Sequence, residues 1–243
     1  MATAAPNAKI VSEVYSRIVS FFGHQQWWPT ITPNRETEVI IGAILTQNTS
    51  WKNVEKAIRN LAAAGMVDFR KIAAAKKEKV AQLIKSSGYF NQKAGRLQLF
   101  ARHVCGNYGG DVKRLLQKDA SELRHELLQL KGVGPETADS ILLYAANKAA
   151  FVVDAYTKRI FSRVGICSGD VSYDKLQHLI VANLPLEMRT AKDFSQYHAL
   201  VVELGKKFCT KREPLCEKCP LIGLCGYGRA ALGDVKNSEN NKV

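Results

Sequence analysis

The spacing of hydrophobic residues predicts helices along almost the whole chain. Residues 37–47 are apolar on nearly every side, which is typical of a helix buried at the centre of a bundle. Elsewhere apolar residues recur every three or four positions, which predicts amphipathic helices: Val54, Ala57, Ile58, Leu61; Ala94, Leu97, Ala101, Val104; Leu123, Leu127, Leu130; Ala138, Ile141, Leu142, Ala145; and Phe194, Tyr197, Val201, Leu204. The strand-like stretch at residues 151–153 is too short to build a sheet. We therefore predict an all-α fold with loose tails at residues 1–8 and 228–243.

One junction between two predicted helices is very short. It lies in the sequence LKGVGPETADSIL, residues 130–142, where Gly132 and Gly134 permit positive φ angles and remove side chains from the turn. Val133 is expected to point inward, and Pro135 suits the first position of the next helix, where its missing N–H costs nothing. Bare backbone N–H groups at such a turn can hold a phosphate oxygen, although an isolated Gly-x-Gly is more often an ordinary helix–helix turn.

The charge of the chain favours a polyanionic partner. The 243 residues include 35 lysines and arginines against 22 acidic residues, a net charge of +13. DNA-binding proteins share such a balance with ribosomal and membrane-surface proteins, so charge alone does not select DNA. No basic and then apolar segment follows Met1, and no run of eighteen apolar residues occurs, so neither a signal peptide nor a membrane span is predicted.

Four of the six cysteines form a cluster in the sequence. Cys209, Cys216, Cys219 and Cys225 have the spacing C-x6-C-x2-C-x5-C, whereas Cys105 and Cys167 stand apart and are predicted to be small buried apolar residues. Clustering favours a metal or iron–sulfur site over a disulfide framework. The number of sulfur atoms alone does not choose between zinc and a cluster.

The short junction, followed by Val152, Val153 and Asp154, resembles the helix-hairpin-helix and aspartate motif of DNA glycosylases related to endonuclease III. The resemblance extends to AILTQNTSW at residues 43–51, SGYFNQKAGRL at residues 87–97 and the four-cysteine segment. The WWP and TQNT segments are most similar to those of 3-methyladenine DNA glycosylases of the endonuclease III type. The Cys spacing is also that of the family's cluster loop, which implies an iron–sulfur (4Fe-4S) cluster and a loop whose Lys211, Arg212 and Lys218 face DNA phosphates.

This resemblance implies a two-lobed architecture and a DNA substrate. Residues 33–148 are expected to form a helical barrel that ends in the helix-hairpin-helix, and residues 1–32 plus 149–243 a discontinuous iron–sulfur domain. Double-stranded DNA containing a damaged base is expected to lie across the groove between the lobes. A monomer in the cytoplasm, associated with the nucleoid, or in another DNA-containing compartment fits this function in base excision repair.

The resemblance assigns catalysis to Asp154. Cleavage of an N-glycosidic bond develops positive charge on the sugar, which a carboxylate stabilises, and the same residue also suits a helix N-cap. Family members that nick the strand have a lysine where this chain has Glu136, and a carboxylate forms no Schiff base. We therefore expect a monofunctional enzyme without AP lyase activity, with Glu136 complementing the helix dipole.

The resemblance also points to the residues that bind the base and the DNA. The base pocket is assigned to Trp27, Trp28, Pro29 and Trp51; a polar wedge to Gln47 or Asn48, unless these form an ordinary polar turn; and DNA binding to Lys131, Gly132, Val133, Gly134 and Thr137. Indole faces prefer a cation, which favours alkylated purines. Gly42 stands where the adenine-mismatch branch has a glutamate. Glycosylases for oxidised pyrimidines or mismatched thymine, and a non-catalytic iron–sulfur DNA-binding protein, are the alternatives.

Overall fold

The all-α prediction is confirmed. The computed structural model describes residues 6–240, with side chains for residues 7–233, and within this range it contains helices and no strand. The α-helices are α1 (Pro6–Phe22), α2 (Arg35–Leu45), α3 (Trp51–Ala63), α4 (Phe69–Ala74), α5 (Lys77–Leu83), α6 (Phe90–Tyr108), α7 (Val112–Leu116), α8 (Ala120–Gln129), α9 (Pro135–Ser140), α10 (Ala155–Val164), α11 (Tyr173–Ala182), α12 (Ala191–Lys207) and α13 (Gly226–Asn240). No described helix has the length and apolar character that a membrane crossing needs.

The predicted loose tails are wrong within the described residues. Helix α1 begins at Pro6, and α13 covers residues 226–240, where the Asn- and Lys-rich composition predicted no structure. Residues 1–5 and 241–243 of the two predicted tails lie outside the described residues. The two isolated cysteines also differ from the prediction, because Cys105 and Cys167 are partly exposed instead of buried.

The chain divides into two compact units. One unit combines Met1–Trp27 with Phe151–Val243, and the other is Trp28–Ala150. The sequence-based division had placed these boundaries at residues 32–33 and 148–149. In the structure the boundary falls between Trp27 and Trp28, so the two adjacent tryptophans belong to different units.

Helix α2 forms the centre of the Trp28–Ala150 unit. All residues from Glu38 to Leu45 are buried, which confirms the prediction of a helix surrounded by other elements. It packs against α3, α6 and a turn of π-helix at Ile141–Ala145. In this turn the N–H of Ala146 donates to the carbonyl of Ile141 at 3.0 Å, a five-residue spacing. Such turns insert an extra residue and rotate the side chains that follow, and they are frequent at functional sites.

Helix α12 forms the core of the other unit. It packs against α1 and α10, and its residues Phe194, Tyr197, Leu200, Val201 and Leu204 are buried. The hydroxyl of Tyr197 donates to the carbonyl of Val11 at 2.8 Å, which satisfies the one polar atom of this fully buried ring. This core supports the start of α10, where Asp154 lies.

Candidate functional site

The short junction is a hairpin between α8 and α9. Gly132 has a φ of +93°, and a Cβ atom there would lie 2.6 Å from the Cγ of Arg96, so the turn requires glycine at this position. Gly134 has a φ of −96°, which any residue adopts, and no atom lies within 4 Å of an added Cβ. The predicted need for glycine at both positions is therefore confirmed for Gly132 only. Val133 is buried as predicted, and Pro135 starts α9.

Gln47 is bonded to this hairpin. Its Nε2 donates to the carbonyl of Gly132 and to the hydroxyl of Thr137, both at 3.0 Å, and its Oε1 accepts from Arg96. The side chain of Thr137, one of the residues assigned to DNA binding, is buried and accepts this hydrogen bond from Gln47. Asn48, the other predicted wedge, is exposed and has a left-handed φ of 53°. The sequence did not indicate Arg96, whose partner lies 49 residues away in the chain.

A buried lysine that the sequence analysis missed holds the turn after α2. The side chain of Lys93 is 1 % exposed, and its Nζ donates to the carbonyls of Leu45 at 2.8 Å and Ser87 at 2.6 Å and to the hydroxyl of Thr49 at 3.0 Å. Burial, together with the nearby Arg96 charge, lowers the pKa of Lys93 to about 8. Its position within SGYFNQKAGRL, at the start of an amphipathic helix, gave no signal of burial.

An aromatic residue is exposed in the turn that precedes α6. Tyr89 precedes α6 with a left-handed φ of 46°, and it is 67 % exposed. Left-handed conformations cost non-glycine residues free energy and persist where surrounding contacts impose them. The Lys93 and Thr49 bonds to Ser87 supply such contacts.

Two of the three tryptophans lie together. The rings of Trp28 and Trp51 meet edge to face with centroids 4.9 Å apart, and the buried ring of Tyr144, from the π-helical turn, lies 5.1 Å from that of Trp28. Pro29, the residue after Trp28, is exposed. Trp27 belongs to the other unit, where its ring lies under Lys206 at 5.4 Å. The sequence analysis missed Tyr144, because it reads as one more apolar residue on a helix face.

The carboxylate of Asp154 is the N-cap of α10. Its Oδ1 accepts from the N–H of Thr157 at 2.7 Å and from the Thr157 hydroxyl at 2.8 Å, and its Oδ2 lies 3.7 Å from Nε2 of His198. Burial acts to raise the pKa of Asp154, but His198 and the Thr157 hydrogen bonds outweigh it and hold the pKa below its usual range. The side chain retains 13 % exposure. Glu136 is exposed in the first turn of α9, where a carboxylate complements the helix dipole.

The four clustered cysteines line one cavity after α12. The N–H of Gly228 donates to the sulfur of Cys225 at 3.3 Å, and Arg163 donates to that of Cys209 at 3.2 Å. Burial raises the pKa of Cys219 to about 11, and burial with the neighbouring sulfurs raises that of Cys216. Within residues 6–240 no three His, Cys, Asp or Glu side chains form a group that could hold a metal ion, so the predicted iron–sulfur site is not confirmed.

Comparison with known proteins identifies the family. Residues 41–185 match the HhH-GPD superfamily base excision DNA repair protein family. The chain is 44 % identical over 218 residues to a Methanocaldococcus jannaschii protein named "putative DNA repair glycosylase", covering 89 % of this chain and 96 % of that one. It is 28 % identical to an H. pylori 3-methyladenine DNA glycosylase bound to 1,N6-ethenoadenine, with a TM-score of 0.68 over 84 % of this chain and 98 % of that one.

A third comparison concerns the fold. The structure of a non-covalent endonuclease III–DNA complex superposes with a TM-score of 0.79 at 24 % identity, covering 96 % of this chain and 99 % of the other. These similarities agree with the helical order and the hairpin described above. The chain therefore belongs to the HhH-GPD superfamily of base excision DNA repair proteins and is a DNA glycosylase with the fold of endonuclease III.

Proposed function

We propose that the protein is a monofunctional DNA N-glycosylase that removes alkylated purines such as 3-methyladenine from double-stranded DNA and leaves an abasic site. The geometry of Asp154 carries this proposal. Two hydrogen bonds from Thr157 fix one carboxylate oxygen, and His198 faces the other. An ionised and fixed carboxylate stabilises the positive charge that develops on the sugar as the base leaves, and it orients the attacking water.

The absence of lyase activity rests on Glu136. A β-elimination that nicks the strand begins with a neutral amine attacking C1′, and the carboxylate at residue 136 has no such nucleophile. Lys131, on the hairpin, is the nearest lysine in the sequence and is exposed. The expected product is therefore an intact strand with an abasic site.

The preference for a charged base rests on the aromatic rings. Trp28 and Trp51 provide electron-rich faces for a flipped base, and a methylated purine carries a positive charge that such faces attract by about 0.5–2 kcal/mol. A cationic purine also departs as a neutral molecule, so the reaction needs no strong acid on the base side. The ligand of the H. pylori relative, 1,N6-ethenoadenine, is an altered purine without a charge, so it supports a purine substrate but not the preference for a cation.

The hairpin is the proposed DNA-binding element. The turn would offer the N–H groups of Gly132 and Gly134 to a phosphate, and the exposed Lys131 adds a positive charge beside them. The N–H of Val133 already donates to the carbonyl of Leu130. Backbone donors and lysines bind phosphate oxygens without reading the sequence, which suits an enzyme that searches duplex DNA for rare lesions. We assign the protein to a DNA-containing compartment, where it acts as a monomer.

The cysteine cavity is the proposed site of an iron–sulfur cluster. Cys209, Cys216, Cys219 and Cys225 would hold the 4Fe-4S group, and the N–H donors of Gly228 and Arg163 already reach two of the sulfurs, an arrangement that tunes such clusters. The bound group would supply folding energy to a loop with little core of its own. A brown visible absorption band and about four irons per chain are expected; colourless protein with one zinc would contradict the assignment.

Base release from methylated duplex DNA, followed by mass analysis, tests the proposal. The wild type should free 3-methyladenine, and Asp154→Asn should abolish release while DNA binding persists, because asparagine caps helices about as well as aspartate. Asp111→Asn, at the N-cap of α7, is the matched control and should retain activity. Release of oxidised pyrimidines or mismatched thymine instead would assign the alternative substrates, and no release from any lesion would favour a non-catalytic binder.

Borohydride trapping tests the missing lyase step. The wild type should form no covalent adduct with lesion DNA, since reduction captures only a Schiff base. An efficient adduct would contradict monofunctional chemistry and would direct attention to Lys131.

A further inference from the structure

Helix α2 carries two residues, one turn apart, that contact the segment containing Trp28. Glu38 is 1 % exposed, and its carboxylate accepts from the N–H groups of Ile31 at 2.8 Å and Thr32 at 2.7 Å and from the Thr32 hydroxyl at 2.6 Å. Three hydrogen bonds to one buried carboxylate fix the backbone directly after the WWP sequence. The chain at Trp28 therefore has little freedom to shift as a whole.

Gly42, four residues after Glu38 on the same helix face, lies under the indole of Trp28. A Cβ atom at residue 42 would lie 2.8 Å from Cζ2 of the Trp28 ring, closer than carbon atoms approach without displacement. Trp51 and Tyr144 pack against the partly buried ring with centroids 4.9 and 5.1 Å away, which limits the directions in which it can move. Any side chain at residue 42 must therefore displace the indole.

We propose that Gly42 is a specificity-determining residue, because it seats the Trp28 indole as a wall of the base site. This inference rests on the proposed function and extends it to the choice of substrate. A correctly placed indole face attracts a cationic base more strongly than a neutral one, so the seat favours charged substrates. Glu38 is a positioning residue for the same wall.

A double-mutant cycle between Gly42 and Trp28 tests the seat. Gly42→Ala should lower the single-turnover release of 3-methyladenine by about tenfold to a hundredfold, since it misplaces the ring. Phenylalanine lacks the second ring that contains Cζ2, so in a Trp28→Phe background the same change should cost less than about twofold. Gly106→Ala, at an open helical position in α6, is the control for a generic glycine effect and should leave the rate unchanged.

A selectivity measurement separates this role from a purely structural one. Gly42→Ala should reduce release of cationic 3-methyladenine more than release of neutral hypoxanthine from the same duplex, because the cation depends on the indole face. Equal losses for both bases, or an equal cost of Gly42→Ala in both backgrounds, would overturn the inference.

The cycle also distinguishes failure of the inference from failure of the proposed function. If the wild type releases no alkylated purine, the proposed function fails, but the unfolding free energies of the same four proteins still report on the contact. If the effects of Gly42→Ala and Trp28→Phe on the unfolding free energy are not additive, the contact between the two residues is supported and only its role in substrate choice is overturned. If the two effects are additive, the proposed support of the Trp28 ring by Gly42 is overturned.

Discussion

Replacing the buried Lys93 with methionine should change how stability depends on alkaline pH. In the folded protein the pKa of Lys93 is about 8, against 10.5 for a free lysine. Between these values the unfolded chain holds a proton that the folded protein has released. The free energy of unfolding of the wild type should therefore rise with pH across this window, whereas Lys93→Met has no such proton to lose.

The size of the effect follows from the pKa difference and the lost hydrogen bonds. A difference of 10.5 − 8 pKa units corresponds to about 3 kcal/mol, which opposes folding of the wild type below pH 8 and is fully relieved only above pH 10.5. Methionine removes this penalty but also removes the three Nζ hydrogen bonds, which are worth about 1 kcal/mol each. The two proteins should thus be nearly equally stable at pH 7. At pH 10 the neutral amine of folded Lys93 keeps two of its three N–H donors, so the wild type should lead by about 1 kcal/mol.

Urea denaturation at pH 7, 8, 9 and 10, followed by circular dichroism, measures this difference. Tyrosines whose pKa burial raises, such as Tyr197, titrate in both proteins, so their contribution cancels in the comparison. Lys79→Met, at an exposed lysine of α5, is the control and should run parallel to the wild type. Parallel curves for wild type and Lys93→Met would refute the reasoning, since they would mean that Lys93 binds its proton equally well in both states.

Three further predictions concern stability and binding. Three side-chain hydrogen bonds outweigh burial and hold the pKa of Glu126 at about 2, so its ionised carboxylate should stabilise the fold by up to about 3 kcal/mol above pH 4.5, and this contribution should disappear toward pH 2. Glu126→Gln should therefore weaken the fall of the unfolding free energy between pH 4.5 and 2 in urea denaturation. An unchanged fall would contradict the role of these hydrogen bonds. Asp68→Ala, which removes the N-cap of α4, should lower the unfolding free energy by about 1 kcal/mol, and Asp68→Asn should restore it. Gly132→Ala should lower the unfolding free energy by more than about 1 kcal/mol, whereas Gly134→Ala should change it by less than about 0.5 kcal/mol. Gly134→Ala should nevertheless weaken duplex binding measured by fluorescence anisotropy. Unchanged binding would argue against a phosphate contact at Gly134.

The parts of the fold that hydrophobic spacing predicted are those in which burial is a local property of one helix. The nearly continuous apolar run of α2 indicated its central position, and the face of α12 that contains Phe194 and Leu204 is buried as its spacing required. The same reasoning failed at α13, a helix of fifteen residues whose polar composition had indicated a loose tail.

The candidate site was less predictable, because its polar residues take their positions from distant partners. Lys93 bonds to a carbonyl 48 residues earlier in the chain, and Gln47 bonds to a carbonyl 85 residues later. A lysine in an amphipathic helix reads as a solvated charge, since about 1–2 kcal/mol of side-chain entropy opposes its burial. Only the three-dimensional position of two backbone carbonyls and a hydroxyl makes burial of Lys93 favourable. The π-helical turn that aims Tyr144 at Trp28 likewise has no local sequence signature.

The two residues assigned to the wedge have different costs in that role. Insertion of the Gln47 side chain into DNA would break its bonds to Gly132, Thr137 and Arg96, at about 1 kcal/mol each, and would release the hairpin turn from its support. Asn48 is exposed and already adopts a left-handed conformation, so its insertion breaks none of these bonds. Under the proposed function, the arrangement with the lower free-energy cost is therefore insertion of Asn48 into the gap left by the flipped base. Gln47 then stays bonded to the hairpin and maintains the phosphate-binding turn.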